Sequence, residues 1–171
     1  MEVIMSIFFV FQGKTYREER TGGYVWSPQL NKAGGRNAGY EKMKEIKTGD
    51  YILHNENGRI VAISIAQTNC YEADQPKELL VVDKDIDWDI EGYRVDTEYY
   101  DFDNPLKTAD YRDWLCENYR ANSAFTANGR GRQQYMCDLA KDHAVFLLNE
   151  TIRLQKNTDL ITCLNNAIAE L

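Results

Sequence analysis

The stretch that most restricts the fold lies near the start of the chain. Ile4 to Phe11 is apolar except for Ser6, and Gln12 closes it. An unbroken apolar run of this length, bounded by polar loop residues, reads as a buried strand. It is far short of the roughly 18–20 residues that a membrane helix needs. No basic–apolar–small-residue leader precedes it, so no signal peptide is expected and the thiols are read as cytoplasmic.

The remaining composition supports a packed protein. With 171 residues, 43 % of them apolar and 12 % aromatic, the chain can bury a full core as one domain, or one domain with a helical appendage. Its net charge of −7 argues against coating nucleic acid by bulk attraction. The charge is uneven. Residues 1–60 hold nine Lys/Arg against seven Asp/Glu, and residues 61–171 hold eleven against twenty. The first third therefore offers either a local basic face or an ordinary solvated surface. Four cysteines at positions 70, 116, 137 and 163 contain no C-x-x-C pair, which disfavours a zinc knuckle. Cys116, Cys137 and Cys163 sit in helix-like apolar surroundings and read as buried free thiols.

Punctuation along the chain gives an order of elements. A polar loop is expected over Gly13–Gly23, then a short β piece at Tyr24–Trp26 stopped by Ser27-Pro28. Asn31–Asn37 reads as a flexible basic loop, and Tyr40–Lys47 as one or two helical turns. Asp50–His54 and Arg59–Gln67 form a hairpin about Asn57-Gly58, a pair that supplies the positive φ of such turns. Cys70–Gly92 reads as a long acidic connection. Its D-x-D run fails the EF-hand pattern, because counting from Asp83 the required Gly and Glu positions hold Trp88 and Arg94. Tyr93–Phe102 alternates as a strand with one wet face and is expected to end at Asn104-Pro105. Helices follow over Asp110–Arg120, Leu139–Leu154 and Leu160–Leu171, with a loop at Ala121–Arg132 and capping residues at Asn157-Thr158-Asp159.

No catalytic motif is present. The chain lacks G-x-S-x-G, H-E-x-x-H and a Walker loop, and no acid cluster with a Lys or His base suggests a metal nuclease. No catalytic residue, cofactor or metal site is therefore expected. His143 reads as structural, and His54 ends a strand beside a turn.

One constellation does carry chemistry. A pocket for a flipped base needs aromatic walls and a few polar groups for its edge. Tyr24, Trp26 and Ser27 meet that need, and loops bearing Lys14, Arg17, Arg20, Lys32 and Arg36 can meet phosphates. The same residues also suit a core tryptophan beside solvated basic loops.

The segment Phe8–Pro28 (FVFQGKTYREERTGGYVWSP), with Lys47–His54, Ile60–Ala66 and Gly92–Asp96, resembles the EVE-type, PUA-like domain that opens EVE–HNH restriction endonucleases. Order and spacing agree over roughly residues 7–106, and Phe125–Tyr135 is similar to a later Asn-Gly loop of the same proteins. Trp26-Ser27 also matches, more loosely, the Trp-Ser pair of YTH domains. The resemblance implies an α+β fold: a twisted PUA-like β-barrel over residues 5–108 with short flanking helices, then a helical segment over 109–171. It implies recognition of 5-methyl- or 5-hydroxymethylcytosine flipped from double-stranded DNA, as the reader of a modification-dependent restriction system. Trp26 would be one wall and Ser27 a polar contact, with Tyr71 or Trp88 as a second wall. Asn128, Arg130, Arg132 and Gln133 would lie on a loop near the DNA. The HNH nuclease motif of those enzymes is missing, so a separate nuclease domain, linked through residues 139–171, and a homodimer are the expected partners, with no membrane. Two alternatives remain: a YTH-like reader of 6-methyladenine or a modified RNA base, and a non-catalytic interaction module built on the C-terminal helices.

Overall fold

The computed structural model describes residues 4–82 and 91–171. Trp88 and the acidic positions Asp83, Asp85, Asp87 and Asp89 lie outside the described residues.

Strand β1 (Ile7–Phe11) occupies the inside of a mixed sheet. It pairs in parallel with β3 (Tyr51–Glu56) and antiparallel with β7 (Met136–Asp138). Successive side chains of a strand point to opposite faces, and here both faces are covered. Ile7 and Phe9 join a core with Leu53, Ile63, Phe125 and the helix residues Leu147 and Leu164. Phe8 and Val10 join a second core with Val25, Met43, Ile52 and Val95. Double burial is why the run shows no alternation.

The sheet order is β2 (Tyr24–Pro28), β6 (Glu91–Lys107), β4 (Arg59–Ala66), β3, β1, β7, and β5 (Tyr71–Asp74) pairs with β6 off this path. The first part of β6 lies between β2 and β5, with Arg94 opposite both Trp26 and Tyr71. Its second part pairs with β4. One 17-residue strand thus belongs to both walls and curls the sheet into a twisted half-barrel. The β3–β4 turn holds Asn57 at φ 50° and Gly58 at φ 74°, the tight hairpin expected from that pair.

Several expectations are corrected. The strand does not end at Asn104-Pro105. Residues 102–105 stand opposite Val61 alone, forming a bulge in which Pro105 needs no ladder N–H. That bulge docks the turn between α5 (Lys141–Leu154) and α6 (Thr158–Glu170). The Asn104 N–H donates to Gln155 Oε1 at 3.0 Å, and Asp103 accepts the N–H groups of Lys156 and Asn157 at 3.0 and 2.8 Å. The expected loop at 13–23 contains helix α1 (Tyr16–Gly22), with Glu18 and Glu19 in its first turn and Gly23 at φ 71° closing it. The long acidic connection holds β5 and α3 (Lys77–Val82). Helix α4 spans only Arg112–Glu117, after a 3₁₀ turn at Thr108–Tyr111. All four thiols are free, but Cys137 lies in a strand and Cys116 is exposed.

Residues 109–171 share a core with the barrel. They contribute β7 to the sheet, and α5 and α6 cover the face carrying Phe9. His143 on α5 ties this layer together, bonding Ser123 Oγ at 2.8 Å and the Asn118 carbonyl at 2.7 Å. Phe9→Ala is therefore expected to cost about 3–5 kcal/mol and to leave one transition. In denaturant, far-ultraviolet dichroism (weighted to the helices) and tryptophan fluorescence should shift together. Separate midpoints would mean that the helical layer folds independently.

Candidate nucleobase pocket

A cavity of about 180 Å³ opens where the end of β2, the loop before α1, α2 (Ala38–Lys42) and the segment before β7 meet. Its lining includes Lys14, Thr15, Trp26, Ser27, Tyr40 and Tyr135. Pockets for drug-sized ligands run about 300–1,000 Å³, so this one suits a single small ring system.

Close packing holds the walls. The Trp26 indole lies against β6 at Gly92, where a Cβ would sit 2.3 Å from the ring. The indole Nε1–H donates to the Ala73 carbonyl at 3.0 Å. With its donor engaged on β5, the Trp26 ring offers the cavity apolar surface. Tyr40 and Tyr135 meet edge to face, with centroids 6.4 Å apart. Helix α2 reaches Tyr135 because Gly39 has no side chain; a Cβ there would lie 2.8 Å from the Tyr135 nitrogen. Asn37 starts that helix by accepting the N–H groups of Gly39 and Tyr40.

Behind the walls runs a buried polar chain. The Ser64 hydroxyl and His54 Nε2 are 2.6 Å apart, and His54 Nδ1 is 2.6 Å from Gln12 Oε1. A neutral imidazole satisfies both contacts by donating from Nδ1 and accepting at Nε2. Burial drives the His54 pKa down to about 3. Gln12 Nε2 then donates to Tyr99 Oη and to Glu19 Oε2, both at 3.1 Å. Glu19 is fully buried. Its Oε2 also accepts from Thr15 Oγ1 at 2.8 Å. Its Oε1 accepts the Trp26 backbone N–H at 2.9 Å and the Tyr135 hydroxyl. Burial pushes the Glu19 pKa up to about 7 against these four hydrogen bonds.

The structure gathers some of the predicted residues and separates others. Trp26, Ser27 and Lys14 line the cavity. Tyr24 is buried beside Trp26 but absent from the lining; its hydroxyl donates to Glu78 and Arg94 lies 4.2 Å over its ring. Tyr71 is across β6 from Trp26, half-exposed, with its hydroxyl on Asp96. Arg17, Lys32 and Arg36 are exposed near the N-terminal loops, whereas Arg20 is held by Asp101 in a bidentate pair. Asn128, Arg130 and Gln133 are exposed, Gln133 at φ 60°. Arg132 donates to the Ser123 and Ala121 carbonyls, which fastens its own loop. Among the described residues, no group of three or more His, Cys, Asp or Glu is placed to hold a metal ion, and no helix is long and apolar enough to cross a membrane.

Sequence reading missed Tyr135, Tyr40 as a wall, and the whole Glu19 chain. His54 carried a usable signal. It shares the strand face of Ile52, so a core-facing imidazole required polar partners. Glu19 gave none, because the REER segment looks like any solvated loop.

No family model matches the sequence, and no curated protein matches it. Solved structures do share the fold. The YTH domain of Zygosaccharomyces rouxii MRB1, solved with N6-methyladenosine RNA, aligns with TM-score 0.51 at 10 % identity, over 88 % of this chain and 90 % of that one. The Pho92 YTH domain in complex with m6A gives 0.54 at 9 % identity, over 94 % and 97 %. An ASCH protein from Zymomonas mobilis gives 0.52 at 7 % identity, over 84 % and 94 %. The chain therefore has the α+β, PUA-like barrel fold of YTH and ASCH domains.

The two buried groups give opposite pH limbs. His54 takes a proton in the unfolded chain near 6.5 but in the fold only near 3, so its contribution to stability is lost as pH falls below 6.5. Glu19 holds its proton in the fold up to about 7 but in the unfolded chain only to 4.5, so its contribution is lost as pH rises between those values. His54→Asn should be less stable at neutral pH, yet lose less stability than the wild type between pH 6.5 and 3 in urea titrations. Parallel pH curves would show that His54 is not the group responsible.

Proposed function

We propose that this chain is a nucleic-acid reader that holds a modified base, flipped out of its stack, in the cavity beside Trp26. The observation that carries the reading is the cavity itself: a ring-sized space lined by three aromatic residues, Trp26, Tyr40 and Tyr135, together with Thr15 and Ser27. Every base has a π face, and stacking on an aromatic side chain is worth about 1–3 kcal/mol. The hydroxyls supply hydrogen bonds to the base edge, which is how flipped bases are told apart. Lys14 at the lining, with exposed Arg17, Lys32 and Arg36, is the set we assign to the phosphates. With a net charge of −7, selectivity would rest on the pocket more than on bulk attraction.

The motif resemblance to EVE–HNH enzymes favours a 5-methyl- or 5-hydroxymethylcytosine in double-stranded DNA, read for a partner nuclease domain and strengthened by dimer avidity. A second reading, N6-methyladenine in RNA or DNA, is favoured by the shared fold with two YTH domains solved with that base. Tyr135 and Tyr40 take the place of Tyr71 as the proposed further walls.

Competition binding at fixed salt separates these readings. One DNA duplex would be used unmodified, with 5-methylcytosine, with 5-hydroxymethylcytosine and with 6-methyladenine, beside a single-stranded RNA with N6-methyladenosine. We expect one modified probe to be preferred. Trp26→Phe should keep the fold and weaken that preference about 5- to 30-fold, roughly 1–2 kcal/mol of stacking. Equal affinity for all probes, or an unchanged preference in Trp26→Phe, would refute the pocket assignment.

A further inference from the structure

Glu19 has four hydrogen-bond partners, and they are not equivalent. Two can only donate: the Trp26 backbone N–H, shared between Oε1 at 2.9 Å and the Tyr135 hydroxyl oxygen at 3.1 Å, and the Gln12 amide N–H to Oε2, its orientation set by His54 on the other side. The other two are hydroxyls, Thr15 on Oε2 and Tyr135 on Oε1. A hydroxyl can turn from donor to acceptor; an amide N–H cannot. Both hydroxyls belong to residues that line the cavity.

The consequence is a matter of counting hydrogens. When Glu19 is ionised, the carboxylate accepts from both hydroxyls, so neither has a hydrogen left to donate to the cavity, and the Tyr135 oxygen already accepts the Trp26 N–H. Ser27 Oγ is in the same state, since its hydrogen goes to the Pro28 carbonyl at 3.1 Å. When Glu19 is neutral, its O–H must donate, and only Thr15 or Tyr135 can accept. Whichever accepts releases its own hydrogen. The pair of hydroxyls then offers one donor beside one acceptor.

We propose that Glu19 is a specificity-determining residue of this cavity, whose bound proton is relayed as a hydroxyl hydrogen at Thr15 or Tyr135 and fits the lining to the amino-group-plus-ring-nitrogen edge of a cytosine or adenine. The inference rests on the reader function proposed above. It makes ligand binding and proton uptake by Glu19 mutually favourable. The titratable groups packed around Glu19 leave it alone in this role. Tyr135, Tyr99 and Tyr24 are all shifted upward and stay neutral, and His54, reached through Gln12, stays neutral because it is shifted downward. Lys14 shares the lining of the cavity.

Two measurements on the full chain test this. The first needs no ligand: carbon-13 NMR of the Glu19 carboxyl, assigned by its disappearance in Glu19→Gln, over about pH 4 to 9. Thr15 and Tyr135 side-chain signals are followed in the same samples. A midpoint near 7, shared by the Thr15 or Tyr135 signal, is expected. A midpoint in the ordinary carboxylate range, or hydroxyl residues that do not follow it, overturns the proposal.

The second is fluorescence anisotropy with duplexes carrying one 5-methylcytosine or one 6-methyladenine, and with a single-stranded RNA carrying one N6-methyladenosine, at constant ionic strength. A group titrating near 7 goes from about one-tenth to about nine-tenths protonated between about pH 8 and pH 6, so wild-type affinity should tighten about tenfold. Glu19→Gln should be pH-independent. Thr15→Val combined with Tyr135→Phe, which leaves Glu19 in place, should also lose the pH response, and thermal melting confirms that each variant is folded. Binding that is modification-selective but flat with pH overturns the proposal and leaves the reader function standing. No binding to any of these probes, RNA included, at either pH overturns the reader function and with it the base edge assigned here, while the carboxyl titration still decides whether the relay exists.

Discussion

Much of the molecule depends on β1 being covered on both faces. Its odd-numbered side chains close the core under α5 and α6, and its even-numbered ones fill the core between the curled walls. A strand buried on both faces has no tolerance for polar side chains without partners. Gln12, the residue after β1, is therefore where the polar chain from Ser64 and His54 reaches the strand, and that chain is complete. Ser64 donates to His54 and His54 to Gln12, Gln12 branches to Tyr99 and Glu19, Thr15 and Tyr135 each donate to Glu19, and Tyr99 passes its hydrogen to the Tyr24 carbonyl. The site sits at the end of the strand that organises the fold, and both are consequences of how that strand is buried.

The same geometry explains why a carboxyl is tolerated there. An ionised group deep in a protein is costly unless its charge is spread over hydrogen bonds. Glu19 has four donors and no cationic partner among the contacts described, which leaves it near the balance point between its two protonation states. The cavity wall is built on this balance. Trp26 is attached to Glu19 through its backbone and Tyr135 through its hydroxyl, so the main aromatic surfaces share one anchor.

Much of the architecture was legible in the residues. The apolar run at Ile4–Phe11, the Asn57-Gly58 hairpin and the amphipathic helices at 141–154 and 158–170 all follow from period and turn chemistry. The misses have physical causes. Pro105 reads as a strand end by its lack of an N–H, but the bulge opposite Val61 removes the need for one. The helix at Tyr16–Gly22 is too short to show a period. Tyr71 enters as a second wall through the resemblance alone; β6 lies between it and Trp26, and it is not among the residues lining the cavity. Tyr135 reaches the cavity from more than one hundred residues away, through the pairing of β7 with β1, which no local pattern encodes. Pocket chemistry was therefore visible in type, through Trp26 and Ser27, and hidden in its long-range half.

The central claim is that a nucleobase occupies the space between Trp26, Tyr40 and Tyr135. Proton–nitrogen correlation spectra of the whole chain, recorded while an oligonucleotide with a single modified base is added, test it most directly. The account predicts that the Trp26 indole N–H and the backbone signals of residues 14–15, 26–27 and 135 move first and furthest, and move little with the unmodified oligonucleotide. Shifts confined to the α5–α6 surface, or identical for modified and unmodified strands, would contradict it.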